Sequence, residues 1–161
     1  MRQSQFIIAI SILALGVTEA SAQTATAEIG YEVQAINEMS VSGDPAALVI
    51  NAATAGSAPV AAVNALTTWA ITTNEVNKRI TGELDSDMPT GLTLSVNLVA
   101  PAGADSEGTK SLSSGATELV TGLGTVQESG MGVTYTLSAT TAAGVVASSS
   151  RTLTYTITDG I

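Results

Sequence analysis

The stretch LDSDMPTG sets two carboxylates, Asp85 and Asp87, two residues apart among turn-forming neighbours. In a loop that spacing can offer oxygens to a calcium ion, which gathers about six to eight oxygen ligands. A second acidic turn, GADSEG, adds Asp105 and Glu107. Together the four are the candidate metal ligands of the chain, provided folding brings the two loops together. The further acids and closing Glu of a helix–loop–helix calcium site are missing. The competing reading is a pair of Asx turns with solvating charge at strand ends. Two acids about 5–10 Å apart would also suit a glycosidase, but such a site needs a cleft with aromatics to hold the sugar. The chain has 1 Trp, 3 Tyr and 1 Phe.

The rest of the catalytic repertoire is thinner still. Histidine and cysteine are both absent. That removes Ser–His–Asp and Cys–His catalysis, disulfides, and zinc or copper sites on their usual ligands. GLGTV, Gly122 to Val126, lacks the Lys-Ser/Thr and the following helix of a phosphate loop. The expectation is a protein that is not an enzyme and has no cofactor, calcium excepted.

The elements that must position these residues are strands. Ile29, Tyr31, Val33 and Ala35 alternate with polar residues and glycine, as do Leu92, Leu94, Val96 and Leu98, and Met131, Val133, Tyr135 and Leu137. The last stretch, RTLTYTITDGI, sets Leu153, Tyr155 and Ile157 between threonines. Period-two alternation marks half-buried antiparallel strands, which places Tyr31, Tyr135 and Tyr155 inward. Less regular strand candidates are Ala47–Asn51, Thr68–Thr73, Lys78–Leu84 and Glu118–Val120. Ala61–Thr73 could open as a helical turn, but Trp69, Ile71 and Thr73 return to period two. Trp69 is expected to be the largest core residue. Turn clusters such as SGDP, TAGSAP and ESGMG punctuate the strands at roughly 8–12 residues, the spacing of a sandwich or small barrel. The predicted fold is all-β, an antiparallel Ig-like or Greek-key β-sandwich of about 7–9 strands. The final strand could pair with Met131–Ala139, or the two could lie in opposite sheets, since the segment between them is long for a tight hairpin. The basic pair Lys78 and Arg79 is expected to blunt a strand edge.

The N-terminus carries an export signal: Arg2, an apolar run from Phe6 to Val17, and small residues at Ala20–Ala22. The run is shorter than the roughly 20 residues of a membrane span. Cleavage is predicted after Ala22. The expected division is residues 1–22 as signal peptide and residues 23–161 as a single sandwich domain, with no membrane span in the mature chain. Formal net charge is −9, from 5 basic and 14 acidic residues. Such a surface repels phosphate backbones, so nucleic acid is not an expected partner.

The runs YEVQAINEMSVSG, ITTNEVNKRITGELDSDMPTGLTLSVNLVAPAG and SRTLTYTITDG resemble a group of small, uncharacterised exported bacterial β-sandwich proteins. In style the chain is also similar to pilin-like and matrix subunits that assemble by strand exchange. The resemblance implies a sandwich outside the inner membrane (periplasmic, cell-surface or extracellular) and supplies no catalytic or binding residues. Both ends of the mature chain are strand-like. The functional expectation is a secreted, non-catalytic structural or interaction protein of the bacterial surface or matrix. Its expected partner is a second copy or a surface protein, with Gln23 to Ala35 as the candidate exchanged strand. The alternative is a binding module for a small ligand, a glycan or calcium, using the loops around Asp85 and Asp105.

Overall fold

The computed structural model describes Ala22–Ile161, so the predicted signal peptide lies outside the described residues except for Ala22. All strands of the described residues fall within the unit Val33–Ile161. The described part of the preceding unit, residues 22–32, has no regular secondary structure.

Among the described residues the fold is all-β, with nine strands in two antiparallel sheets. In chain order they are β1 (Asn37–Val41), β2 (Ala62–Thr73), β3 (Lys78–Leu84), β4 (Leu92–Leu98), β5 (Asp105–Ser106), β6 (Lys110–Ser111), β7 (Thr117–Leu123), β8 (Val126–Ala139) and β9 (Leu153–Asp159). One sheet runs β1-β2-β8-β4-β6 and the other β5-β7-β3-β9. β4 has the bounds that period-two alternation predicts, and β3 those of the less regular candidate Lys78–Leu84. β8 extends the predicted Met131–Leu137 run at both ends.

The two sheets enclose an aliphatic core. Trp69, Ile71, Val96, Leu98, Met131 and Val133 from the five-stranded sheet meet Ile80, Leu84, Leu119 and Leu123 from the other. Trp69 is 1% exposed, and its indole Nε1–H donates to the Val99 carbonyl at 3.0 Å. A buried indole N–H needs such a partner, because leaving it bare would cancel part of the gain from burying the ring. Consecutive Leu119 and Val120 are both fully buried, which plain alternation forbids. The register explains it: Ile80 pairs with Val120 but Thr81 pairs with Glu118, so Leu119 is the extra residue of a β-bulge. On β3, a Cβ built at Gly82 would stand 2.8 Å from Leu119 Cδ1, so this bulge packs where glycine leaves room.

Four expectations are corrected. Ile29–Ala35 is not a strand, and Tyr31 is 96% exposed rather than inward. The register gives the reason. β1 starts at Asn37, opposite Thr73, the last residue of β2, so residues before Asn37 run past the end of their partner. Asn74 marks the limit: its side chain accepts from Ile36 N at 2.8 Å and donates to the Gln34 carbonyl at 2.7 Å. Ala47–Asn51 is also not a strand. Leu48 packs on the core, but that stretch finds no ladder partner. Lys78 and Arg79 do not guard an edge, because β3 is an interior strand between β7 and β9. Lys78 Nζ instead pairs with Asp159 at 2.6 Å and Glu75 at 3.0 Å, and Arg79 pairs with Glu118.

The last strand pairs with β3, in register from Leu153↔Leu84 to Asp159↔Lys78. It therefore lies in the sheet opposite β8, the second of the two arrangements that the long connection allows. Tyr135 of β8 and Tyr155 of β9 tie the sheets together through a hydroxyl–hydroxyl hydrogen bond of 2.9 Å. Burial pushes the ionisation of both phenols up, and for Tyr155 the bond to Tyr135 adds to it. A phenol whose folded pKa lies above its unfolded value contributes stability below the unfolded value and loses it as pH rises beyond. Stability is therefore expected to hold to about pH 9 and to fall above about pH 10, where unfolded tyrosines ionise. Tyr155→Phe should cost about 0.5–1.5 kcal/mol at neutral pH, having stripped Tyr135 of its partner. The double Phe variant should flatten the alkaline slope. Urea unfolding on both sides of that boundary checks both effects.

Candidate functional site

Of the four acidic candidates, Asp87 and Glu107 have partners for their carboxylates. Asp87, in the β3–β4 connection, accepts the Ser114 backbone N–H at Oδ1, 2.7 Å away. That bond and one to the Ser114 side chain hold its carboxyl below the usual range. The Asp87 carbonyl receives the Arg151 guanidinium, from Nε at 3.2 Å and Nη2 at 3.3 Å. Asp85 donates its backbone N–H to the Thr152 carbonyl at 2.9 Å, which extends the β3–β9 ladder by one step. Asp105 belongs to β5, opposite Thr121. Glu107 pairs with Lys110 Nζ at 3.2 Å and accepts the Thr121 hydroxyl at 3.1 Å. These two contacts, Lys110 first, lower its pKa.

Asp87 thus tethers the β6–β7 turn, and Glu107 ties the β5–β6 turn to β7. Among the described residues, no group of three or more acidic side chains converges as a cation would require. Treating the protein with a chelator and then restoring calcium is expected to leave the thermal midpoint in place. A calcium-dependent rise in that midpoint would return these loops to candidacy.

Among the described residues, two depressions have volumes of about 210 and 160 Å³. The first sits between the turn after β1 and the start of β2, lined by Asp44, Asn64 and Leu66 among others. The second lies beside Arg79, Glu118 and Thr121. Both fall short of the roughly 300–1,000 Å³ of a small-molecule site.

What stands out instead is exposed apolar chain. Ile29, Tyr31 and Val33 are 80%, 96% and 81% exposed, and the residues between them are Gly30 and Glu32. Single exposed apolar residues are ordinary, but three at strand spacing on one uninterrupted stretch are not. Sequence reading found this alternation and misjudged its place, because alternation records a face suited to burial without saying which sheet buries it.

Comparison with protein-family models, with curated proteins and with solved structures finds no match to this chain.

Proposed function

We propose that the protein is a secreted, non-catalytic structural subunit of the bacterial surface or extracellular matrix that assembles with copies of itself by strand exchange. The observation that carries this reading is the segment Ile29–Ala35, strand-patterned and exposed on its apolar positions yet in no strand of its own chain. An extended segment that adds to a sheet edge gains main-chain hydrogen bonds, and its alternate side chains supply the fit. Burying an Ile, Tyr or Val side chain contributes about 1.5–3 kcal/mol each. The partners that hold the Asp87 and Glu107 carboxylates, and the absence of histidine and cysteine, support a role without catalysis. The export signal and the resemblance to exported sandwich proteins support the location.

The test is a concentration series of the purified protein, followed by light scattering and negative-stain microscopy. Filaments or ordered oligomers that grow with concentration are expected. A monomer at every concentration would overturn the reading.

A further inference from the structure

Resting on that reading, we infer that the acceptor is the outer edge of β9, and that it takes residues Ile29–Ala35 of a second copy as an added antiparallel strand. The two sheets have four edge strands: β1, β6, β5 and β9. β5 and β6 are two residues each, too short to template a partner. β1 has five residues and carries Glu38. β9 has seven, with its one charge, Asp159, at its last position and paired with Lys78, matches β3 without a register shift, and contains no Lys, Pro or bulge. Those are the devices by which natural edges resist pairing.

The ladder shows which backbone groups β9 offers. Gly160 N donates to the Asn77 carbonyl at 2.6 Å and Asp85 N to the Thr152 carbonyl at 2.9 Å. In an antiparallel pair, hydrogen-bonded positions alternate, so Thr154, Thr156 and Thr158 turn their backbone groups toward β3. Leu153, Tyr155, Ile157 and Asp159 therefore turn theirs to the open side. The side chains of Leu153, Tyr155 and Ile157 face the core but are only partly buried, whereas Ile80 and Leu84 on β3 are fully covered. The sandwich is thinly closed along this margin.

An added antiparallel strand would set its own inward residues opposite Leu153, Tyr155 and Ile157. Ile29, Tyr31 and Val33 have the required spacing, and the segment has the length of β9. A β9-to-β9 dimer would also close the edge, but it would leave these three side chains in water. A donor on one surface and an acceptor on another make a head-to-tail contact, which propagates into an open chain unless the rotation closes.

In this arrangement Glu32 lies on the outward face, in a close non-hydrogen-bonded row with the threonines of β9, within disulfide reach. The chain has no cysteine, so introduced thiols are unique. The full-length gene is expressed with E32C in one preparation and T154C, T156C, T158C or S40C in others. The preparations are mixed and oxidised, with circular dichroism to confirm that each remains folded. One of the three β9 thiols is expected to give at least about tenfold more heterodimer with E32C than S40C does, given the raised local concentration of paired strands. Assembly with E32C captured at S40C on β1 would overturn the β9 assignment and leave strand exchange standing. T156C captured by itself, or an E32C/T156C chain that bridges only within itself, would overturn exchange of this segment between copies at β9. Failure of the unmodified protein to assemble would overturn both.

Discussion

Trp69→Ala is expected to remove about 3–5 kcal/mol of folding stability, a large share of the roughly 5–15 kcal/mol that a folded domain holds in reserve. The indole is 1% exposed in the middle of β2 and pairs in register with Val41 on one side and Met131 on the other. Its removal opens a cavity that the neighbouring sheet cannot collapse to fill, since Val133, Leu98 and Leu119 are already fully buried in their own ladders. The Val99 carbonyl also loses its indole donor. Trp69→Phe should recover most of the volume but not the hydrogen bond, and so should lie between the two. Urea midpoints of the three proteins check the order. A Trp69→Ala midpoint close to that of the unmodified protein would mean that the sheets do not meet around this side chain.

Tyr31→Glu combined with Val33→Glu should abolish assembly while leaving the sandwich as stable as before. Both side chains are nearly fully exposed, so in the monomer the exchange of apolar for charged surface is close to neutral. In an added strand the same positions would face a neighbour's core. There the variant forfeits about 1.5–3 kcal/mol of burial per residue and brings in carboxylates that lack a partner. Even the lower figure for the pair is about two orders of magnitude in association constant. Thermal unfolding and light scattering on the same samples separate the two effects. Loss of stability in parallel with loss of assembly would count against an intermolecular role for the segment.

Much of the fold was legible because burial in a sheet has a local signature. The alternation at Leu92–Leu98 and Met131–Leu137 is the same whichever strand lies alongside, so β4 and the heart of β8 could be placed without knowing their neighbours. Trp69 could be assigned to the core on the same ground. The doubled burial of Leu119 and Val120 was not legible, since a bulge breaks the very period that reveals strands. The pairing of Asp87 with Ser114 and of Glu107 with Thr121 was also out of reach. What competes for those carboxylates comes from turns and strands that only folding brings near.

Composition and periodicity by themselves determined that this chain builds strands, that its core is aliphatic around one tryptophan, and that it lacks the side chains for most covalent and metal chemistry. The tertiary structure alone decided which strands are neighbours. After β2 the chain changes sheet at every connection, so β8 and β9, adjacent in sequence, face each other across the core and touch through Tyr135 and Tyr155. It also decided that β2 ends opposite Asn37, which leaves Ile29, Tyr31 and Val33 past the ladder, and that β9 is an edge. The physical reason is that alternation encodes only that one side of a strand is to be buried. Partner and register are settled by long-range packing and hydrogen bonding, where each strand competes for a place that its own residues do not specify.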